Sequence, residues 1–284
     1  MAERCSNLHF TPCASFTGAY AKTAAGGEIT CVDSGNYAGA SVILIATWLT
    51  INCENAIGGS YAGAVSGVVV LTAATDTVTL RGLDFDGAGN APEGLIKFVG
   101  AGALHVHKTK LNNATSGNGS GIIFNPTGPA KLVVSDSVIT RNGFAGFRGG
   151  IVIKPAAGVQ ADVSINRTRI DRNADGIFAD GTDGGTIHGV VRDSVVSGSI
   201  LRGIVVDTTA TNVILLVENT TVANNKAGLV AYAANAGLAV SNSSIMFNET
   251  GLYTQSGRVI GSYQNNNLGG NGTDGAFNAS APQQ

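Results

Sequence analysis

A unit of 23 to 29 residues recurs along most of the chain. Its clearest copy, ENTTVANNKAGLVAY at 218–232, has a Thr, an apolar residue two positions later, an Asn five positions later, and a glycine eight positions later that opens a short apolar strand. Such opening glycines occur at Gly67, Gly94, Gly121, Gly150, Gly176, Gly203, Gly228, Gly251 and Gly275. A period of this length is typical of solenoid proteins, in which each repeat packs only against its neighbours.

Apolar residues alternate within each repeat, which indicates β-strands. The first and third residues after an opening glycine are apolar, as in Ile151/Ile153 and Ile204/Val206, and a second alternating strand precedes the Ser or Thr. Because side chains alternate between the faces of a strand, each coil would bury one apolar row. A leucine-rich repeat has a similar period but requires a Leu-dominated consensus, whereas the inward residues here are mostly Val and Ile. The pattern predicts an all-β chain folded as a parallel β-helix of nine or ten coils.

Two sets of polar residues fall at equivalent turn positions of successive repeats. One set is Asn142, Asn173, Ser199, Asn225 and Asn248, and the other is Ser137, Thr168, Ser194, Thr220 and Ser243. Asn tolerates the left-handed backbone of a sharp corner, and stacked amides hydrogen-bond to one another along a column. We predict that both sets form hydrogen-bonded ladders that belong to the scaffold.

The cysteines lie at the amino-terminal end, within the first fifth of the chain. None has C-x-x-C spacing and no His lies at a matching distance, so a zinc site is not indicated. We predict two disulfides and, of the three possible connectivities, favour Cys5–Cys13 with Cys31–Cys53. The alternative is four reduced thiols.

A short helix is predicted before the first strand, because Phe16 and Tyr20 share one helical face and Gly26-Gly27 provides a stop signal. This helix would cap the open amino-terminal edge of the β-helix. The expected divisions of the chain are a lead-in and capping helix at 1–27, the parallel β-helix at 28–275 and a carboxy-terminal tail at 276–284.

Composition bears on partners and location. The net charge is −2, which gives no electrostatic footprint for nucleic acid. No window approaches 18 consecutive apolar residues, so no membrane span is predicted.

The first residues, MAERCSNLHF, lack the apolar core of a signal peptide, so the protein is either cytosolic or has lost an export signal. The cysteines favour a secreted or periplasmic location.

The stretch CSNLHFTPCASFTGAYAKTAAGGEITCVDSGNYAGASVI resembles the start of a family of secreted bacterial proteins with a right-handed parallel β-helix. The resemblance rests on the Cys-bearing lead-in, the helix ending in TAAGGEI and the turn DSGNYAG, and it covers roughly the first fifth of the chain. It implies a right-handed fold and export. The fold is shared with pectate lyases and related polysaccharide-active enzymes, but the NTD, DD, GHG and RIK motifs of polygalacturonase-type hydrolases are absent from the sequence.

The position four residues after each opening glycine would face outward. This outer column contains Phe98, Asn125, Lys154, Asp180, Asp207, Tyr232 and Gln255. Neighbouring strands lie about 4.8 Å apart, so Lys154, Asp180 and Asp207 would stack, with Arg148 on a turn beside them. Stacked carboxylates repel unless one is protonated, Lys154 neutralises one, or a calcium ion bridges Asp180 and Asp207. Lys154, Asp180, Asp207 and Arg148 are the candidate catalytic residues, and solvated charges on a polar face are the alternative.

A second outward position, two residues after the glycine, is apolar. This apolar column contains Val69, Ile96, Ile123, Val152, Phe178, Val205, Val230, Tyr253 and Phe277. A continuous exposed apolar stripe usually marks an interaction surface, so we favour a homo-oligomer interface, with packing of the carboxy-terminal tail on the column as an alternative. Alternatively, Phe178 and Tyr253, with Tyr232 beside them, would bind sugars as an aromatic platform, or the column reflects β-propensity alone.

Three functional classes are compatible with these patterns. The first is a non-catalytic surface or carbohydrate-binding module, which the missing hydrolase motifs and the apolar column favour. The second is a lyase or hydrolase that acts on acidic polysaccharide, which Lys154, Asp180 and Asp207 would serve, with calcium as its candidate cofactor. The third is a structural, self-associating subunit.

Overall fold

The chain forms three parallel β-sheets that coil together into a right-handed β-helix. The computed structural model describes residues 12–37, 42–56, 58–61, 67–90, 93–117, 119–143, 149–233, 235–255 and 258–280. Within each sheet, a strand pairs in parallel with the strands one coil before and one coil after it. The sheets contain 11, 10 and 9 strands within these described residues, which agrees with the predicted nine or ten coils.

The strands are short, and a typical coil contributes one strand to each sheet. The first sheet contains Glu28–Thr30, Leu49–Asn52, Thr77–Arg81, Gly102–His107, Ala130–Ser135, Gln160–Asn166, Thr186–Arg192, Val213–Glu218, Ala236–Ser241, Val259–Ser262 and Ala279–Ser280. The second contains Gly35–Asn36, Gly58–Tyr61, Leu83–Asp86, Lys110–Asn112, Val138–Thr140, Arg169–Asp171, Val195–Ser197, Thr221–Ala223, Ser244–Met246 and Asn267–Gly269. The third contains Ile43–Ile45, Val68–Val70, Ile96–Phe98, Ile122–Phe124, Gly149–Ile153, Asp175–Gly181, Arg202–Thr208, Ala227–Ala231 and Thr250–Thr254.

Apolar side chains stack in register inside the coils. In the third sheet, Ile122 pairs with Ile151, Ile151 with Ile177, and Ile177 with Ile204. All four are at most 1% exposed. Full burial of an aliphatic side chain contributes about 1.5–3 kcal/mol, so a repeated inward row of Val and Ile supplies much of the driving force for folding. The predicted inward row is confirmed.

The register of one coil differs from the prediction. Ile96 pairs with Ile122, which places Phe98 inside, opposite Phe124. Both phenylalanines are fully buried, and their ring centroids lie 4.7 Å apart. Because a shift of one residue exchanges the two faces of a strand, Phe98 does not belong to the outer column. For the same reason Lys97, and not Ile96, occupies the apolar column in this coil.

Asparagine side chains form the predicted ladder at one corner of the coils. Asn142 Nδ2 donates to Asn173 Oδ1 at 3.1 Å, and Asn225 Nδ2 donates to Asn248 Oδ1 at 3.0 Å. The ladder extends one coil further than predicted, because Asn248 Nδ2 donates to Asn271 Oδ1 at 2.9 Å.

The predicted hydroxyl ladder is also present, at a second corner. The backbone N–H of Thr168 donates to Ser194 Oγ at 3.1 Å, and that of Thr220 donates to Ser243 Oγ at 3.1 Å. All four side chains are buried. The Ser194 and Ser243 hydroxyls thus each satisfy a buried backbone donor of the preceding coil, which ties successive coils together.

A five-residue helix, Phe16–Tyr20, precedes the first strand. Ser15 Oγ caps it by accepting from the backbone N–H of Gly18 at 3.1 Å. Phe16 is 2% exposed, and its ring centroid lies 5.4 Å from that of Tyr37. The helix is shorter than the segment that the sequence suggested, and no helix in the described part of the chain is long and apolar enough to cross a membrane.

A disulfide joins Cys31 and Cys53, as predicted. These cysteines directly follow paired strands of the first sheet, and their Cα atoms lie 4.8 Å apart. Cys13 is also disulfide-bonded. Its predicted partner, Cys5, lies outside the described residues.

Candidate functional site

The outer column lies on the outer face of the third sheet, where Lys154 and Asp180 form an ion pair. Lys154 Nζ lies 2.9 Å from Asp180 Oδ2 and 3.1 Å from Asp183 Oδ1. Asp180 is 7% exposed and also accepts from the backbone N–H of Thr182 at 3.0 Å. Burial lowers the pKa of Lys154, but the hydrogen bonds and charges of Asp180 and Asp183 outweigh burial, so the pKa is raised. Lys154 therefore remains a cation and neutralises Asp180.

Asp207 lies beside Asp180 in the next coil, at the paired register position. Burial raises the pKa of Asp207 and the charge of Asp180 raises it further, whereas the backbone of Thr208 and the charges of Arg202 and Arg258 oppose the shift. The net effect is a raised pKa. Within the described residues, Asp207 has no ion pair, in contrast to Asp180.

A buried ion pair lies on the same sheet. Arg202 Nε donates to Asp175 Oδ1 at 2.7 Å, and Arg202 Nη2 donates to Asp175 Oδ2 at 2.6 Å. Asp175 is 1% exposed, whereas 20% of the Arg202 side chain is exposed. Burial lowers the pKa of Arg202, but Asp175 and the Tyr232 hydroxyl outweigh burial and raise it. The guanidinium is therefore permanently charged and is held by two parallel hydrogen bonds.

Two aromatic side chains flank this ion pair, and a third packs against one of them. The Arg202 guanidinium lies 5.3 Å from the Phe178 ring centroid and 5.5 Å from that of Tyr232. Tyr232 makes an edge contact with Tyr253, with 5.9 Å between their ring centroids. Tyr253 is 44% exposed. The predicted aromatic residues Phe178, Tyr232 and Tyr253 therefore lie on one face of the sheet, arranged around a cation that the sequence did not reveal.

A cavity of about 410 Å³ opens beside the ion pair. Its lining includes Arg202, Lys226, Ala227, Tyr232, Glu249 and Tyr253. Ala227 holds the register position of Arg202 in the next coil, and its small side chain leaves room beside the guanidinium. Lys226 and Glu249 are exposed and lie at the rim.

The apolar column is not the exposed stripe that the sequence predicted. Ile123, Val152, Val205 and Val230 are each at most 2% exposed. Val205 is covered by the Arg202 side chain, because the Arg202 guanidinium contacts Phe178 in the preceding coil and Tyr232 in the following coil. Tyr253 is the exposed member of the column in the described coils of this face. A homo-oligomer interface through this column stays a prediction, with less exposed apolar surface than expected.

The donor set around Asp180 and Asp207 does not fit a bound calcium ion. Calcium takes six to eight oxygen ligands, but Lys154 and Thr182 already engage the Asp180 carboxylate. Across the described ranges, no three His, Cys, Asp or Glu side chains are grouped to hold a metal. Arg148 lies outside the described residues, so its predicted place beside the outer column stays a prediction.

Sequence reasoning did not assign Asp175, Arg202 or Asp183 to the site. A signal for the first two was present, because Asp175 directly precedes Gly176 and Arg202 directly precedes Gly203. Residues that share a repeat position lie side by side in a solenoid, so opposite charges at that position predict an ion pair between coils. Asp183 lies in a turn after its strand, and no repeat position marks it.

The fold and the site together define the chain as a right-handed parallel β-helix with a polar and aromatic outer face on its third sheet. No protein-family model and no curated protein matches the chain. Several solved structures are similar to the chain. The A-module of mannuronan C-5 epimerase AlgE6 from Azotobacter vinelandii is 14% identical, with a TM-score of 0.41 and coverage of 94% of both chains.

Two other solved structures are similar over most of the chain. The catalytic domain of a GH87 alpha-1,3-glucanase in complex with tetrasaccharides is 11% identical, with a TM-score of 0.34, and the match covers 94% of this chain and 71% of that one. The receptor-binding domain of the Siphovirus 9NA tailspike is 12% identical, with a TM-score of 0.29, covering 95% and 75%.

Proposed function

We propose that the protein is an exported polysaccharide-binding β-helix, and that its binding site is the outer face of the third sheet. The observation that carries the proposal is the cavity of about 410 Å³ formed by Arg202, Tyr232 and Tyr253. Concave sites lined by aromatic side chains with a few convergent polar groups are typical of ligand pockets. The Cys31–Cys53 disulfide supports a location outside the reducing cytosol.

The site suits an extended ligand. The outer column runs from Lys154 through Asp180, Asp207 and Tyr232, and the coil of Tyr253 follows next. These are four coil spacings of about 4.8 Å each, or roughly 19 Å in all. Tyrosine presents a rigid apolar ring and a polar hydroxyl, which matches the mixed surface of a sugar. The face thus offers an aromatic end and a charged end to successive sugars of one chain.

Replacement of Tyr253 by alanine is expected to weaken polysaccharide binding by at least about tenfold, because truncating a central aromatic anchor typically costs more than 1 kcal/mol. The measurement is isothermal titration against a panel of neutral and anionic polysaccharides. Tyr263→Ala is the matched control, since Tyr263 is also exposed (36%) but lies on another part of the last coils. Equal affinity of both variants and the unchanged protein would contradict the proposal.

A second candidate function is an enzyme that acts on acidic polysaccharide, which the raised pKa of Asp207 beside Asp180 favours. Asp207 would then act as the general acid or base, and Asp207→Asn is expected to lower turnover by at least about 100-fold. The assay follows unsaturated products and new reducing ends from uronate polymers. Asp183→Asn is the control, since it removes an exposed carboxylate that pairs with Lys154 in the same outer column. If the unchanged protein forms no product, the enzyme hypothesis is rejected.

A further inference from the structure

Arg202 differs from an ordinary surface arginine because a buried carboxylate fixes its direction. Asp175 is 1% exposed and binds both Nε and Nη2 of the guanidinium, at 2.7 and 2.6 Å. Phe178 on one side and Tyr232 on the other restrict the plane of the group. A planar group held by two hydrogen bonds and two rings loses little freedom when it binds a ligand.

The Asp175 pair occupies only part of the guanidinium, and the Tyr232 hydroxyl also interacts with it. A guanidinium has five N–H groups in a fixed fork, and Asp175 takes one on Nε and one on Nη2. Both N–H groups of Nη1 and the second one of Nη2 are not used by this pair. Arg202 lines the cavity, where the small Ala227 of the next coil leaves space and Tyr253 provides an exposed ring. Adjacent, coplanar N–H donors match the paired oxygens of a carboxylate or sulfate.

We propose that Arg202 is a specificity-determining residue that binds a carboxylate or sulfate ester on a sugar held against Tyr253, and that Asp175 is its positioning residue. The proposal rests on the polysaccharide-binding function above and deepens it by naming an anionic sugar as the ligand. Since Asp175 balances the charge of Arg202, selection depends on directed hydrogen bonds. Long-range attraction of an anionic ligand would come from the exposed Lys226, and the exposed Glu249 at the same rim offsets the charge of Lys226. Binding through Arg202 is therefore expected to depend weakly on salt.

The test is isothermal titration with three matched probes: an oligouronate, the same oligosaccharide with its carboxyl groups reduced to alcohols, and a sulfated oligosaccharide. Each is measured at about 0.05 M and about 0.5 M salt, where screening of exposed charges differs strongly. We expect the unchanged protein to prefer one anionic probe over the reduced probe by at least about tenfold at both salt concentrations. The two anionic probes distinguish a carboxylate from a sulfate as the source of the anionic group.

Two variants separate recognition of the anion from formation of the site. Arg202→Lys keeps the positive charge but removes the fork, so it is expected to abolish the tenfold preference while affinity for the reduced probe is unchanged. Ala227→Leu fills the cavity beside the guanidinium while both Arg202 and Asp175 are kept, and it is expected to weaken binding of all three probes. Arg192→Lys is the control, since the Arg192 side chain is half exposed on the first sheet.

The outcomes distinguish this inference from the proposed function. If the unchanged protein binds the reduced probe as tightly as the anionic probes, polysaccharide binding stands and the role of Arg202 is overturned. A loss of affinity for all probes in Arg202→Lys would likewise overturn it, because Arg202 would then only support the site. If the unchanged protein binds none of these probes or the wider panel, both proposals fail together.

Discussion

Asn173→Ala is expected to lower the free energy of unfolding by about 3 to 5 kcal/mol, because three buried hydrogen bonds are lost and each leaves an unpaired partner. Asn173 Oδ1 accepts from the backbone N–H of Asn142 at 2.9 Å and from its side-chain amide at 3.1 Å. Asn173 Nδ2 donates to the carbonyl oxygen of Ile139 at 3.0 Å. Asn173 is fully buried, so water cannot replace these bonds. Chemical denaturation followed by circular dichroism measures the change.

The control is Asn212→Ala, since Asn212 is exposed and lies in a turn away from the ladder. Its expected effect is within about 0.5 kcal/mol, as for most surface substitutions. A cost below about 1 kcal/mol for Asn173→Ala would mean that stacked apolar side chains hold the coils together without the ladder.

The second large effect is expected from Asp175→Asn, which should cost about 3 kcal/mol or more because it leaves the Arg202 charge poorly compensated in a buried place. Asp136→Asn is a closely matched comparison. The Asp136 carboxylate also binds an arginine of the next coil in a bidentate way, with Arg167 Nε and Nη2 at 2.7 and 2.8 Å. It differs in exposure, since 27% of the Asp136 side chain and 54% of the Arg167 side chain are accessible.

Exposed ion pairs contribute little, so Asp136→Asn is expected to cost less than about 1 kcal/mol. Thermal unfolding of the two variants under one set of conditions gives the difference directly. Equal losses would show that burial of Asp175 does not determine the energy of its ion pair, and they would weaken the case for Asp175 as the residue that fixes Arg202.

The β-helix itself could be predicted from the sequence because its determinants are periodic. Apolar alternation, glycines at regular intervals and the Asn and hydroxyl sets each mark one position per coil, and a solenoid brings equal positions together. The ladders through Asn142 and Asn173 and through Thr220 and Ser243 follow from this rule. So does the contact between Lys154 and Asp180.

The error at Ile96 has a physical cause in the sequence Gly94-Leu95-Ile96. Leu95 and Ile96 are both apolar and fully buried, so alternation alone allows two registers that differ by one residue. Gly94 adopts a φ of 103° and belongs to the turn before the strand. Stacking of Phe98 on Phe124 is consistent with the observed register, and it depends on ring packing between coils.

The buried state of the apolar column could not be predicted, because it depends on where long side chains lie. An outward strand position is exposed only if no other side chain lies over it. The Arg202 side chain lies over Val205 of its own coil, between Phe178 and Tyr232 of the neighbouring coils. The repeat position of Arg202 was visible in the sequence, but the path of its side chain depends on the pairing with Asp175. The candidate site was thus only partly predicted: its aromatic and charged residues were named, and the ion pair that organises them was not.

A crystal structure of the protein with a bound oligouronate would show directly whether the outer face of the third sheet binds polysaccharide. The proposed function predicts a sugar ring against Tyr253, with its anionic group within hydrogen-bond distance of Arg202 and further sugars extending toward Asp207 and Lys154. An oligosaccharide bound at either of the other two sheets, with this face empty, would contradict it.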